Sequence, residues 1–320
     1  MIENVNASKE AANGEFLDIR KYVGVASINV LAVNPDNAKL RKFGWNIPED
    51  AAEPNYILTK TLPDGRETQS TRVRLLVQIQ DLDEKPVVSL DFWCQKGVQT
   101  NAAGDKCKVI DCYGRTAWVT KEEFKAGKVP IYKNGQPANI STPYKACHIG
   151  EEELVSFLFK YLNITPLQIF DRTKNGWTPS KNPGRLTVDD WGKICDGDVS
   201  EIAEYLALQP DNRVKVVLGV MTTDDNKTYQ SFLNSGYIGN GMPVDRNTGE
   251  YTRARTLIDK FVASVADRRA AGKTIRGEYT YSSLPVREYK ETATDVAQPK
   301  TMFDDEGNYI EDDDDLPFAQ

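Results

Sequence analysis

The nine residues 72–80 read RVRLLVQIQ and place an apolar side chain at every second position from Val73 to Ile79. Strict alternation of this kind is typical of a β-strand with one buried face. The twelve residues 22–33, YVGVASINVLAV, alternate β-branched residues in a similar way and stop before Pro35. Together the two stretches predict that a β-sheet forms the core of the protein.

Other parts of the chain show the same strand pattern, and three segments between or after them show the apolar spacing of a helix. Further strands are predicted at 87–94, 107–112, 115–120, 213–222 and 229–237. Helices are predicted at 151–162, 199–208 and 252–271. This order matches an elaborated OB-fold, a five-stranded Greek-key barrel with a helix between its third and fourth strands. Another small β-barrel or an open α+β sheet is the alternative.

The sequence therefore predicts a mainly β fold with helical insertions, a C-terminal helix and a disordered acidic tail. Residues 1–14 are polar and are predicted to be flexible. One OB-like domain with long inserted connections is predicted at 15–277. Apolar residues become sparse from 278 onward, which predicts a disordered linker and tail at 278–320.

The charge of the chain is unevenly distributed. The 320 residues include 40 Lys+Arg and 47 Asp+Glu, a net charge of −7. Eight of the acids and no basic residue lie in the last 20 residues, which leaves 40 basic and 39 acidic residues in the rest. The low isoelectric point is therefore no argument against a nucleic-acid partner. No apolar run approaches the roughly 20 residues that a bilayer requires, and no secretory signal begins the chain, so a cytoplasmic protein is predicted.

Catalytic and metal-binding patterns are scarce. The sequence lacks a phosphate-binding glycine loop, and its one histidine, His148, argues against His-based triads and multi-His metal sites. Paired carboxylates at 189–190 and 224–225 are interpreted as turn and capping residues. The thiols that could join His148 around zinc are Cys94, Cys107, Cys112 and Cys147. Because they lack a CxxC pair, we interpret them as small core residues, and we predict no enzyme activity, metal or cofactor.

Cationic and aromatic residues interleave without acids at 39–45 and 172–185, and again around two predicted strands. Single-stranded nucleic acid is bound by this combination, because cations neutralise phosphates and flat rings stack on bases. The candidate contacts are Lys39, Arg41, Lys42, Phe43, Trp45, Trp93, Lys96, Arg115, Arg172, Lys174, Trp177, Lys181 and Arg185. Trp45 and Trp177 lie in polar loops and are interpreted as ligand contacts. Trp93 and Trp118 lie on predicted strands, where a core position is favoured, although Trp93 is kept as a candidate.

The last ten residues read EDDDDLPFAQ. An acidic run followed by Leu, Pro and Phe resembles the tail of bacterial single-stranded-DNA-binding proteins (SSBs). In that family the acids contact a basic rim on partner proteins and the Phe fills an apolar pocket. The matching residues are Asp312, Asp313, Asp314, Asp315, Leu316, Pro317 and Phe318. In the family the Phe ends the chain, whereas Ala319 and Gln320 follow it here.

An elaborated barrel with an acidic C-terminal tail also resembles the monomeric SSBs of tailed bacteriophages. This resemblance implies non-enzymatic, sequence-tolerant binding and protection of single-stranded DNA (ssDNA) in phage replication or recombination. It further implies that the tail recruits replication or recombination proteins and competes with DNA for its groove. A structural or virion-associated β-protein with a solubilising tail, or a metal-dependent nuclease, is the alternative.

Overall fold

The computed structural model describes residues 20–61, 67–101, 103–111, 116–126, 130–133, 136–139, 144–162, 170–173, 176–179, 191–207, 214–224, 226–233, 243–272, 275 and 277–290. The fold is mainly β, with antiparallel sheets and helical insertions, as the sequence predicted. The predicted flexible N-terminus at 1–14 and the acidic residues at 301–320 lie outside the described residues.

Every predicted strand and helix has a counterpart, and several short elements were not predicted. The strands are β1 (Tyr22–Val33), β2 (Ile57–Thr61), β3 (Glu67–Ile79), β4 (Val87–Cys94), β5 (Lys106–Asp111), β6 (Thr116–Thr120), β7 (Pro130–Lys133), β8 (Gln136–Asn139), β9 (Tyr144–Ala146), β10 (Phe170–Thr173), β11 (Gly176–Pro179), β12 (Val214–Thr222), β13 (Thr228–Phe232), β14 (Glu278–Tyr281) and β15 (Arg287–Glu288). The helices are α1 (Asn37–Lys42), α2 (Lys121–Lys125), α3 (Glu151–Tyr161), α4 (Trp191–Cys195), α5 (Ser200–Ala207) and α6 (Thr252–Ala270).

The chain divides into two compact units. The first unit comprises Met1–Asn55, Arg74–Leu90 and Pro210–Gln320, and the second comprises Tyr56–Val73 and Asp91–Gln209. Strands β3 and β4 contribute residues to both units. The physical reason for the division is the long insertion between β4 and β12. Its helix α3 builds a separate core in which the Phe157 ring lies 5.4 Å from Phe92 and 5.7 Å from Tyr161.

The first unit is built on an antiparallel sheet. Strand β1 pairs antiparallel with β3 and with β12, while β4 pairs with β3 and β13 pairs with β12. Among the described residues no pairing joins β4 to β13, so these strands do not close the predicted barrel.

Strand β3 is buried on both faces, whereas the alternation at 72–80 predicted one buried face. Leu75 and Val77 are buried on one side, and Leu76 is equally buried on the other. Leu76 belongs to a cluster in which it packs with Leu40 and Trp45. The segment that follows β1 therefore covers the face of β3 that the sequence pattern left exposed.

The segment at 277–290, which we call the C-terminal strap, pairs with the sheet, although the sequence predicted disorder from residue 278 onward. Strand β14 pairs with β12 at Gly219–Thr222, and β15 pairs with β1 at Tyr22 and Val23. Gly24, at φ 117°, lets the strap approach, because a Cβ there would lie 2.8 Å from the Leu284 carbonyl oxygen. The prediction is therefore wrong for 278–290, where backbone pairing compensates for the low apolar content.

Helix α6 holds the strap from the other side. The Phe261 ring lies 5.2 Å from the rings of both Tyr279 and Tyr281 in edge-on contacts. Leu257 and Ile258 pack with Phe261 and Tyr281 against the same core cluster. Val262, on the same helix, is 58% exposed and faces solvent. The described helices include none that is long and apolar enough to cross a membrane.

Candidate functional site

The loop candidates of the first unit are held by the scaffold. Helix α1 begins at Asp36, whose carboxylate accepts a hydrogen bond from the Lys39 amide at 2.7 Å. Arg41 donates through Nη1 to the Pro48 carbonyl at 2.8 Å, so its guanidinium ties the loop that follows the helix. Lys42 is exposed, and its Nζ lies 5.9 Å from the Phe43 ring centroid. Among these side chains, therefore, Lys39 and Lys42 carry the exposed charge.

Trp45 is not the exposed ligand contact that its polar neighbours suggested. Its side chain is 6% exposed and packs with Leu40, Ile47 and Leu76. The physical reason is that the loop folds back over β3, where the indole fills the space above Leu76. Trp45 therefore stabilises the first unit and presents no free ring for stacking.

In the second unit, one face of the β2–β3–β4 region combines aromatic, cationic and polar side chains. Strand β4 alternates regularly, so that Phe92 and Cys94 are buried while Asp91, Trp93 and Gln95 lie half-buried on the opposite face. Strands β2 and β4 both pair with β3. We call this surface the β2–β4 face. It consists of Tyr56, Ser70, Arg72, Asp91, Trp93 and Gln95.

Arg72 lies at the centre of the β2–β4 face. Its guanidinium carbon is 5.5 Å from the Tyr56 ring centroid and 5.8 Å from the Trp93 ring centroid. One of its terminal nitrogens lies 4.0 Å from an Asp91 carboxylate oxygen, with the two side chains 5% and 26% exposed. A guanidinium at this distance from two rings makes favourable cation–π contacts with both. Arg72 therefore fixes the two half-buried rings and is covered by them.

The polar edge of the same face is also ordered. Gln95 donates through Nε2 to the Ser70 hydroxyl at 2.8 Å, and its backbone amide donates to the Ile149 carbonyl at 3.1 Å. Gly150, at φ 81°, caps helix α3 directly behind Trp93, where an added Cβ would lie 1.8 Å from the Trp93 carbonyl oxygen. The backbone of β4 is thus fixed by close packing, and the Trp93 ring is presented from a rigid strand.

The remaining candidate DNA contacts are partly described by the structure and partly outside the described residues. Lys96 is exposed but forms an ion pair with Asp196, so its charge is shared with an acid of the same unit. Arg172 lies on β10 and Trp177 on β11, where the register pairs these two residues. The following candidates lie outside the described residues: Arg115, Lys174, Lys181 and Arg185, and in the tail Asp312, Asp313, Asp314, Asp315, Leu316, Pro317 and Phe318.

Sequence reasoning missed three participants. Tyr56 and Arg72 were not selected, although Arg72 follows the alternation of β3 and its cationic side chain was a usable signal. Trp118 was assigned to the core, but it is 40% exposed on β6, and the Lys108 ammonium lies 5.6 Å from its ring. Strand β6 is only five residues long, so its sequence pattern could not show which of its two faces is buried.

The thiols of the proposed zinc set behave as core residues where they are described. Cys94, Cys107 and Cys147 are buried, and Cys112 lies outside the described residues. Burial raises the pKa of the Cys147 thiol to about 12, and burial also raises the pKa of Cys94 well above its usual value. In the described part of the chain, no group of three or more His, Cys, Asp or Glu residues is arranged to hold a metal ion.

Comparison with models of known protein families, with curated proteins and with solved structures finds no match to this chain.

Proposed function

We propose that this protein binds single-stranded DNA without strong sequence preference, as a non-enzymatic DNA-binding protein of phage replication or recombination. The observation that carries the proposal is the β2–β4 face. Two half-buried rings, Tyr56 and Trp93, are held there by the cation between them. Rings fixed in this way offer π-faces to nucleobases, and stacking is tolerant of sequence because every base has a π-face.

The strand order supports the same proposal. In an OB-fold, oligonucleotides bind on the face of the second and third barrel strands. In the sheet of this chain, β3 pairs with β1 and β4 pairs with β3, and these two strands carry Arg72 and Trp93. We therefore propose an OB-like arrangement whose barrel closure is incomplete, with a DNA path along the β2–β4 face.

The acidic C-terminus completes the proposal. Asp312 to Asp315 with Leu316, Pro317 and Phe318 resemble the SSB tail, and we propose that they recruit replication or recombination proteins. Eight carboxylates near the C-terminus would also compete with DNA phosphates for exposed cations. Such a protein would act in the cytoplasm of a bacterial host.

Fluorescence anisotropy with labelled ssDNA, RNA and duplex DNA tests the proposal. We expect ssDNA to bind best, and log K to fall against log salt with a slope of about −0.7 for each neutralised phosphate. Trp93→Ala is expected to weaken ssDNA binding by roughly 1–3 kcal/mol, because one stacked base is lost. Phe124→Ala is the matched control, since Phe124 is an exposed aromatic residue of the second unit that lies outside the β2–β4 face.

The alternative functions give different results in the same experiment. A structural or virion-associated β-protein would show no salt-dependent binding to ssDNA. Since OB-folds also bind oligosaccharides, a set of neutral oligosaccharides belongs among the competitors. Equal affinity for duplex and single strand, or affinity that does not change with salt, would contradict the proposed function.

A further inference from the structure

A second exposed ring lies on the β5–β6 hairpin of the insertion. Trp118 is 40% exposed, and the register places it directly opposite Lys108 on β5. The Lys108 ammonium lies 5.6 Å from the centroid of the Trp118 ring. One face of the indole is therefore occupied by a cation while the side chain as a whole remains accessible to a ligand.

The cation beneath the indole is fixed in place. The Lys108 side chain is 8% exposed, and its ammonium forms an ion pair with the Glu152 carboxylate. The Thr116 hydroxyl donates to the other oxygen of the same carboxylate at 2.8 Å. Glu152 belongs to the first turn of α3, where a helix dipole favours a negative charge. Because Lys108 is paired and covered, it orients the ring and is not available to a phosphate.

A different lysine on the same strand face is accessible. Lys106 precedes Lys108 by two residues, so both side chains lie on one face of β5, and Lys106 is exposed. Lys106 pairs with Thr120, which makes it the diagonal neighbour of Trp118, at about 7–8 Å between positions. The spacing of a base from its own phosphate in a single strand is of this order, so one nucleotide can contact both side chains.

We propose that Trp118 and Lys106 form a second ssDNA contact, which we call the β5–β6 platform. One base stacks on the free face of Trp118, and Lys106 neutralises an adjacent phosphate. A protein partner is disfavoured as the occupant, because the accessible neighbours of the ring on this face are Lys106 and two threonines, while its apolar neighbour Ile110 is 1% exposed. The inference rests on the proposed function, since the ligand is the same single strand.

The test compares variants of the full chain in ssDNA titrations at several salt concentrations. Trp118→Ala is expected to weaken ssDNA binding about 5- to 150-fold, the equivalent of one stacked base. Trp118→Phe, which keeps a π-face, is expected to recover most of the loss. Phe124→Ala is the matched control, because Phe124 is a 37% exposed ring on the next element, and it should bind as the wild type does.

Lys106→Gln gives an independent measurement. Removing one phosphate contact should make the slope of log K against log salt shallower by about 0.7. An unchanged slope would overturn the platform even if Trp118→Ala failed to fold. If Trp118→Ala folds and binds ssDNA with full affinity, the platform is also overturned. If Trp93→Ala still weakens binding in that case, the proposed function stands without the platform. If the wild-type chain bound no ssDNA, the proposed function itself would fail.

Discussion

Trp45 in the first unit and Trp118 in the second each have lysines close by in sequence, yet one indole is buried in a core and the other is exposed. Trp45 is 6% exposed and packed above Leu76, whereas Trp118 is 40% exposed and rests on one buried lysine. The difference comes from what covers each ring. A loop that folds back over a strand buries its own aromatic residue, while a short hairpin leaves one face of its ring uncovered.

This contrast assigns different tasks to the two units. In the first unit, the cation-rich segment around Arg41 is tied to backbone carbonyls, and the sheet is completed by the C-terminal strap. In the second unit, cations lie under or between rings and hold them in position. The first unit is therefore expected to respond to mutation mainly in stability, and the second mainly in ligand affinity.

The largest expected effect comes from removing the strap. A chain that ends at residue 276 loses β14 and β15 and the buried parts of Tyr281 and Val286. At roughly 1.5–3 kcal/mol for each large apolar side chain, the loss reaches about 5 kcal/mol, comparable with the stability of a small domain. Urea denaturation followed by circular dichroism measures it.

A chain that ends at residue 290 is the matched control, because it removes only residues beyond the strap. Its midpoint of unfolding should equal that of the full chain. Equal stability of the chains ending at 276 and 290 would show that the strap contributes nothing to the first unit.

Trp45→Ala is expected to lower the free energy of unfolding by about 3–5 kcal/mol, because it leaves a large cavity beside Leu76. Trp118→Ala should cost less than about 1 kcal/mol, since its ring is already partly in water. Urea midpoints of the two variants, measured side by side, give the comparison. A smaller loss for Trp45→Ala than for Trp118→Ala would reverse the roles assigned to the two residues.

The main strands and helices could be predicted because their periodicity extends over many residues. Strand β1 spans twelve residues of near-continuous apolar or β-branched character, and α6 carries its stripe through Leu257, Ile258 and Phe261. Strands β14 and β15 could not be predicted, since they are four and two residues long and depend on pairing with β12 and β1. The separate core of the insertion between β4 and β12 could not be predicted either, because it forms from residues that are far apart in the sequence.

The candidate site was predicted only in part, for a related reason. Trp93 was selected because cationic and aromatic residues surround it in the sequence. Its partner Arg72 lies on the neighbouring strand β3 and Tyr56 directly precedes β2, so their contact with Trp93 requires the sheet register. The burial of Trp45 likewise depends on Leu76, which lies 31 positions further along the chain. Local composition identifies residue types suited to a ligand, and tertiary packing decides which of them reach solvent.

A medium effect is expected at Arg41. Arg41→Gln removes the charge-assisted hydrogen bond to the Pro48 carbonyl and should lower the free energy of unfolding by about 1–2 kcal/mol. Lys42→Gln, one residue further along, removes an exposed charge and should change stability by less than about 0.5 kcal/mol. Thermal unfolding of both variants under one set of conditions decides the matter. If Arg41→Gln instead left stability unchanged and made the salt slope of ssDNA binding shallower, Arg41 would be a phosphate contact.

The smallest expected effect concerns the acidic C-terminus as an internal competitor. Eight carboxylates near the end of the chain carry a charge density similar to that of a nucleic-acid strand. Tethering gives them an effective concentration of about 1 mM near the body. If they dock on exposed cations with a dissociation constant of about the same size, removing residues 303–320 should raise ssDNA affinity about twofold at low salt. The gain should disappear as salt screens the carboxylates.

Variants of the stacking residues and of the cations test whether the acidic tail competes for the DNA site itself or weakens binding only through its overall charge. Carboxylates compete for cations such as Lys106 and not for π-faces, so the gain from removing residues 303–320 should persist in Trp93→Ala and Trp118→Ala. It should shrink in Lys106→Gln, where one shared cation is missing. Replacing the acids by Asn and Gln should reproduce the gain, while Phe318→Ala should leave ssDNA affinity unchanged and weaken partner binding. If removing residues 303–320 leaves the ssDNA affinity at low salt unchanged, the tail does not compete with ssDNA.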